Sequence, residues 1–258
     1  MVTAVLIKCP EDPAEFMMKV FGAAKIAPPE TLFFHERFKS KSIVLKDMNK
    51  SAGQNREERP AAMGPSNATS SGGGMAITSL PLIPRDGVAP DAPLAFGIAF
   101  DITIEETDLQ WRDGLGIGFT CQDPDLWHQR KPPPKNAIPL LRTCTVGYGG
   151  RWFCQGKSEI LRGAWEPGKL SKGDLVTAVL VGAPANVMRV LVNGKVVTQR
   201  ALKDCGLPDP TSEQLWGIVD VESACVKVRL GLPTVQLRML ASNSRAAGAM
   251  GAFSAAKF

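Results

Sequence analysis

The sequence predicts an all-β fold, an antiparallel β-sandwich, for most of this 258-residue chain. Apolar residues alternate with small or polar ones over short segments, which is the period of a strand with one buried face. Glycine, proline, asparagine and aspartate separate these segments. No long helical pattern lies between them, so the crossover helices that a parallel sheet needs are missing from the pattern. Short strands joined by such turns are typical of a sandwich.

The predicted strands differ in how they are buried. Residues 96–105 alternate apolar and polar side chains, which indicates one buried face. Residues 115–121 alternate bulky side chains with Gly116 and Gly118, over which neighbouring chain can approach closely. Residues 175–181 are almost continuously apolar and predict a fully buried strand.

Two further strand pairs are predicted near the end of the sandwich. Residues 187–192 and 195–197 flank Asn193-Gly194, which predicts a hairpin with a type I′ turn. Residues 215–221 and 226–230 form the final pair, joined by a short turn.

The composition predicts one domain with attachments rather than two domains. The length is about 1.7 times the usual domain size of roughly 150 residues. Residues 1–28 are expected to form an N-terminal extension with a short helix that starts at Asp12-Pro13. Residues 29–232 hold the sandwich, within which the Gly-, Ser- and Pro-rich range 50–94 is predicted to be a flexible insertion. Residues 233–258 are expected to form a basic tail rich in alanine and serine.

Several classes of function are disfavoured by composition. The chain has only two histidines and one tyrosine, which disfavours multi-histidine metal sites and a histidine-based catalytic triad. The net charge of +5 is small for this length, so nucleic-acid binding is not expected. None of the six cysteines forms the C-x2-C pair that zinc modules use. We therefore predict no metal and no cofactor.

The sequence predicts neither secretion nor a membrane span. The first residues are too short an apolar run for a signal peptide, and no stretch reaches 18 apolar residues, so no membrane span is expected. The prediction is a cytoplasmic protein, with the nucleus as the alternative, whose cysteines are reduced.

Several pieces of the sequence occur in an order that matches a known family. The most specific are Gly118-Phe119-Thr120 followed by Asp123-Pro124, and Leu215-Trp216 followed by Asp220-Val221. The other matching pieces are Phe34-His35 with Ile43-Val44-Leu45, Gly97–Asp101, Trp111–Gly114, Gly173-Asp174-Leu175, and Val226–Leu230.

Over about residues 31–232 the chain resembles the Neuralized homology repeat, the NHR domain of Neuralized-type ubiquitin ligases, which is related to SPRY domains. It departs from the family at residues 50–94, and Glu222-Ser223 stands where the family has Tyr-Gly. The cysteine pairs of a RING module are also missing. The resemblance implies a non-catalytic module that binds a protein or peptide ligand. It also implies substrate or adaptor recognition in ubiquitin-linked signalling, with a separate ubiquitin ligase as a further partner.

The loop after the Gly-Phe-Thr piece carries the predicted ligand-binding residues. Trp127, His128 and Arg130 are of the residue types that dominate interface hot spots, and the prolines at 132–134 stiffen the loop. Trp111 and Arg112 are assigned to the same surface. The alternative is that Trp127 only caps the sandwich end. Leu126 is expected to pack inward.

Two other functions remain open from the sequence. A lectin-like sandwich would need a cluster of Asp, Asn and aromatic side chains on a concave face. A sandwich-fold glycosidase would need two facing carboxylates about 5 to 9.5 Å apart, and Asp101 and Asp220 are the pair to measure. The simpler role for Asp220 is to bond a turn. The glycine-rich residues 147–152 are read as a hairpin rather than a phosphate-binding loop, because a strand pattern follows them.

Overall fold

The computed structural model describes residues 32–55, 73–84, 96–108, 113–127, 132–160 and 165–231. The chain divides into two units, residues 1–31 and 32–258, and only the second contains described residues. The predicted N-terminal helix and the tail 233–258 lie outside the described residues. The described residues form fourteen strands in two antiparallel sheets, so the predicted β-sandwich is confirmed.

Numbered along the chain, seven strands form sheet 1. In spatial order they are β1 (Phe34–Lys39), β4 (Gly74–Thr78), β13 (Trp216–Val221), β6 (Gly116–Thr120), β7 (Thr143–Gly147), β8 (Arg151–Cys154) and β9 (Lys157–Ile160).

The other seven strands form sheet 2. In spatial order they are β12 (Lys195–Ala201), β11 (Val187–Val192), β10 (Leu175–Val181), β5 (Gly97–Thr107), β14 (Cys225–Gly231), β3 (Ser51–Gln54) and β2 (Ile43–Lys46).

Helices are short throughout the described part of the chain. Helix α1 spans Pro124–Trp127, helix α2 spans Leu202–Cys205, and one 3-10 turn spans Pro167–Lys169. None of these has the length or the apolar composition needed to cross a membrane.

The main core lies between the two sheets. On β5 the inward residues alternate as predicted, and Phe100 is fully buried there. The ring of Phe100 meets the ring of Phe119, from β6 of the opposite sheet, edge to face at 5.6 Å. This contact joins the two sheets, and edge-to-face pairs add stability beyond the apolar area that they bury.

The predicted hairpin at Asn193-Gly194 is confirmed. The φ angles of Asn193 and Gly194 are 51° and 81°, so both central residues are left-handed, as a type I′ turn requires. The Asn193 Oδ1 atom accepts a hydrogen bond from the backbone N–H of Leu175 at 2.9 Å. The side chain therefore also ties the turn to β10.

The range 50–94 contains two strands, which corrects the prediction that it is an insertion. Strand β3 pairs with β14, and β4 lies between β1 and β13 in sheet 1 with all five residues buried. At Gly74 a Cβ atom would lie 2.6 to 2.7 Å from the side chains of Ser40 and Ser42, so the close packing needs glycine. Strand β4 begins at the end of a Ser-Gly run, so its local composition does not distinguish it from a flexible loop. The remainder of the range, residues 56–72 and 85–95, lies outside the described residues.

Two cysteines meet across β7 and β8, a pairing that the sequence did not predict. Cys144 and Cys154 are opposite each other in the strand register, with Cα atoms 4.3 Å apart and their sulfur atoms in contact. Their separation of ten residues along the chain gives no sign of this pairing, because only the register of the two strands places them face to face.

Candidate ligand-binding surface

The segment that connects β6 to β7 packs on the outer face of sheet 1. We call residues 121–142 the 121–142 loop; residues 128–131 of it lie outside the described residues. The loop contributes Ala137 and Leu140 to a second apolar cluster, and Trp127 packs against it. The strand residues of this cluster are Phe38, Met75, Ile77, Trp216 and Ile218. The loop therefore covers apolar surface that the sheet would otherwise expose.

Hydrogen bonds hold the second half of the loop to the sheet. The Ser40 hydroxyl lies 2.8 Å from the carbonyl oxygen of Pro134 and 2.7 Å from that of Lys135, and it donates to this pair. The backbone N–H of Ala137 donates to the Asp220 carboxylate at 2.9 Å. Because Ser40 and Asp220 are both buried, these bonds are protected from competing water.

The first half of the loop is held through helix α1. The backbone N–H of Phe38 donates to His35 Nδ1 at 2.8 Å, so that nitrogen carries no proton. His35 Nε2 therefore carries the proton and donates it to the Asp125 carboxylate at 3.1 Å. The Asp123 carboxylate accepts a hydrogen bond from the N–H of Asp125 at 2.8 Å, which is how an aspartate commonly initiates a turn.

The structure describes one of the five predicted ligand-binding residues. Trp127 is half-buried, and its ring meets the Phe38 ring edge to face at 5.8 Å. Its indole Nε1 is buried without a hydrogen-bond partner among the described residues. The other four, Trp111, Arg112, His128 and Arg130, lie outside the described residues.

Leu126 was predicted to pack inward, and this prediction is wrong because 59% of its surface is exposed. Successive residues of a helical turn point in directions about 100° apart, so only one of Leu126 and Trp127 can face the sheet. The larger tryptophan takes that position. Leu141, which the sequence did not single out, is 65% exposed at the other end of the loop. Two adjacent leucines indicate that one of them is exposed, but they do not show which one, because that depends on the sheet face that they meet.

A buried carboxyl group fixes the loop to the sheet. Gly116 leaves space above β6, and a Cβ atom there would lie 2.6 Å from the Tyr148 ring. Tyr148 crosses this space, and its hydroxyl donates a hydrogen bond to Asp220. Burial raises the pKa of Asp220 to about 7, although the bonds from Tyr148 and Ala137 act in the opposite direction. Burial, followed by the charge of Asp220, raises the pKa of Tyr148 well above its ordinary value.

The geometry does not support the glycosidase pair. Asp220 lies between inward-facing Val219 and Val221, so it points out of sheet 1. Asp101 lies between inward-facing Phe100 and Ile102, so it points out of sheet 2. Packed sheets are about 10 Å apart, and carboxylates on opposite outer faces are further apart than the two catalytic groups of a glycosidase. Asp220 instead bonds a loop, as the simpler interpretation predicted.

Sheet 2 offers two shallow depressions of about 580 and 520 Å³ on either side of Lys227. No aromatic side chain lines either of them, so neither provides the ring surface on which a lectin stacks a sugar. Lys227 is itself paired with Glu105 at 2.8 Å. The charge of Lys227 is therefore paired within the sheet.

Cys121 and Cys225 do not have the lowered pKa of a catalytic thiol. Burial raises the pKa of Cys121 to about 11 and that of Cys225 to about 12, whereas a nucleophilic cysteine needs a lowered pKa. Among the described residues, one group of His, Cys, Asp or Glu side chains converges closely enough for a metal ion, namely Cys144, Cys154 and Cys205. All three lie in the core between the sheets.

Comparison with known proteins identifies the fold family. The Neuralized family model matches residues 85–231, which is more than half of the chain. No curated protein sequence matches the chain significantly.

Among solved structures, the crystal structure of the Neuralized NHR1 domain from Drosophila melanogaster aligns with a TM-score of 0.49 and 14% identity. The alignment covers 78% of this chain and 98% of that one. The solution structure of the NHR domain in Neuralized from the same organism aligns with a TM-score of 0.48 and 16% identity, covering 80% and 94%. The SPRY domain of human HERC1 aligns with a TM-score of 0.46 and 12% identity, covering 76% and 96%.

Neuralized domains commonly serve as protein-interaction modules. The family match spans β5 to β14 and includes the 121–142 loop. The chain belongs to the Neuralized family.

Proposed function

We propose that this domain binds a protein or peptide ligand through the 121–142 loop, without catalysing a reaction on it. The observation that carries the proposal is a loop fixed to the sheet by buried hydrogen bonds that still presents two exposed leucines, Leu126 and Leu141. A surface that is already ordered loses little conformational entropy on binding, so apolar contacts with it are converted efficiently into affinity.

Trp127 contributes to this surface as a partly buried anchor. Its inner edge packs on Phe38, so its position is set by the sheet. Tryptophan is among the residues enriched at the centre of protein interfaces. The sequence-predicted residues His128 and Arg130 follow Trp127 directly, and we propose that they extend the surface.

The charge of the loop favours a ligand with apolar and acidic side chains. The loop carries four basic residues and two acidic ones, and Asp125 is already paired with His35. The basic residues are Arg130, Lys131, Lys135 and Arg142. Arg142 pairs with Glu213 in the free domain. We propose that the remaining basic residues of the loop meet an acidic group on a partner.

Within the cell, we propose that the bound protein is a substrate or adaptor of a separate ubiquitin ligase. The support for this step is membership of the Neuralized family together with the resemblance described above. Two variants test the surface and the pathway together. Leu126→Ser with Leu141→Ser removes both exposed leucines without touching the bonds that fix the loop. Met48→Ser is the matched control, since Met48 is 81% exposed in the β2–β3 turn of sheet 2.

The experiment is affinity purification of the tagged chain from its native cell, with quantitative mass spectrometry of the bound proteins. We expect a defined protein ligand and ubiquitin-ligase subunits to be enriched with the wild type and with the Met48 variant, and lost with the double leucine variant. Binding that survives in the double variant would refute the 121–142 loop as the site. A defined ligand without ligase subunits would refute only the ubiquitin step, and binding to a glycan array without any protein partner would favour the lectin-like alternative.

A further inference from the structure

Three cysteines meet inside the sandwich, two from sheet 1 and one from a short helix next to sheet 2. Cys144 on β7 and Cys154 on β8 face each other across the strand pair. Cys205 comes from helix α2, which directly follows β12 of sheet 2. The three sulfur atoms lie within 4.8 Å of one another, and all three residues are buried. The cluster lies within the core, so it is distinct from the 121–142 loop on the outer face of sheet 1.

The surroundings favour a soft cation over a hard one. Within the described residues the cluster contains three sulfur atoms and no histidine or carboxylate. Thiolates prefer Cu(I) and other soft ions, whereas a structural zinc site needs a fourth ligand. Bonds of about 2.3 Å from a central ion would place three sulfur atoms roughly 4 Å apart, which is within the spread observed here.

The Arg200 guanidinium lies beside the cluster and pairs with Glu159 at 2.5 Å. The Arg200 guanidinium stands over the Trp152 ring at 5.8 Å, and its charge acts on Cys205 to lower the pKa of that thiol. Burial acts more strongly and raises the pKa of Cys205 to about 12. Coordination of a metal ion to a thiol releases its proton, so binding at this cluster is coupled to proton release.

We propose that the reduced chain binds one Cu(I) ion through Cys144, Cys154 and Cys205. In an oxidised chain, where Cys144 and Cys154 form a disulfide, a thiol or phosphine reductant must first supply two electrons and two protons to open that bond. Cu(I) then forms three Cu–S bonds and three protons leave to solvent. Oxidation of the pair withdraws two of the three ligands, so the site exists only in the reduced chain.

The test uses the whole chain in a Cys9→Ser, Cys121→Ser background, which removes the thiol outside the described residues and the half-buried one. The protein is reduced with a phosphine and titrated anaerobically with Cu(I) in competition with a chromogenic copper chelator. We expect one Cu(I) per chain. Cys205→Ser should weaken binding at least about tenfold, because loss even of a group that only supports a ligand costs that much. X-ray absorption should show three sulfur neighbours.

The matched control is Cys225→Ser, which replaces an equally buried thiol elsewhere in the core. Should it weaken Cu(I) binding as much as Cys205→Ser does, the effect would be one of stability and the assignment would be wrong. Failure of the reduced parent to take Cu(I) from the chelator would also overturn the proposal. Thermal unfolding of each variant is measured first, and Cys154→Ser serves as a second ligand variant if Cys205→Ser does not fold.

Discussion

The buried carboxyl of Asp220 predicts a specific dependence of stability on pH. Its folded-state pKa is raised from 3.8 to about 7 because the group is completely buried. Between these values the folded chain holds a proton that the unfolded chain has lost. The free energy of unfolding therefore falls as the pH rises through this window, and the contribution of the protonated form is lost above pH 7.

The magnitude follows from the size of the shift. Each pKa unit corresponds to about 1.4 kcal/mol, so a shift from 3.8 to about 7 corresponds to roughly 4 kcal/mol. That is a large part of the roughly 5 to 15 kcal/mol by which domains are stable. In Asp220→Asn the amide does not titrate, and its oxygen can still accept the bonds from Tyr148 and Ala137.

The assay is urea unfolding followed by tryptophan fluorescence, for wild type and Asp220→Asn, at intervals from about pH 4 to about pH 8. Other carboxyl groups titrate equally in both proteins, so the difference between them isolates Asp220. We expect the free energy of unfolding of Asp220→Asn, relative to that of the wild type, to increase by roughly 4 kcal/mol from the lowest to the highest pH. Glu36→Gln, at an exposed position on β1, is the control and should show no such gain. A difference that stays constant within about 1 kcal/mol would show that Asp220 does not titrate in this window.

Three further substitutions test the packing. Phe100→Ala should lower the free energy of unfolding by about 3 to 5 kcal/mol, because it removes a fully buried ring and its contact with Phe119; a loss below about 1 kcal/mol in urea unfolding would contradict this packing. Gly116→Ala should cost about 1 to 3 kcal/mol, since the new methyl group meets the Tyr148 ring, and calorimetry showing an unchanged Tm would refute that contact. Asn193→Ala should lower the free energy of unfolding by about 1 to 2 kcal/mol, because alanine is strained at a left-handed φ and cannot make the bond to β10. Thermal unfolding measures this change, and an unchanged stability would mean that the turn does not require asparagine.

The strands were predictable where local pattern and burial coincide. The alternation on β5 and the continuous apolar run of β10 each identify a strand, because side-chain direction changes with every residue. The hairpin at Asn193-Gly194 is equally local, since few residue pairs adopt two successive left-handed conformations. Strand β4 could not be found in this way, because its burial comes from strands β1 and β13, which are remote in sequence.

The candidate binding surface was predictable only in part. The residue types of the 121–142 loop pointed to recognition, but the orientation of Leu126 and Trp127 depends on which side chain the outer face of sheet 1 accepts. The exposed Leu141 follows from the burial of Leu140 against that same face. Such choices are made by packing against distant strands, so they carry no local signal.

The sequence by itself therefore determined the fold class, the order of most strands and the family, since these depend on periodicity and on motifs that are read along the chain. Only the tertiary structure decided which buried groups meet. Asp220 and Tyr148 are 72 residues apart, and Cys205 lies 51 residues after Cys154, yet each set shares one site. Strand register and the packing of one sheet on the other bring these groups together, and the pattern along a single strand holds no record of its neighbours.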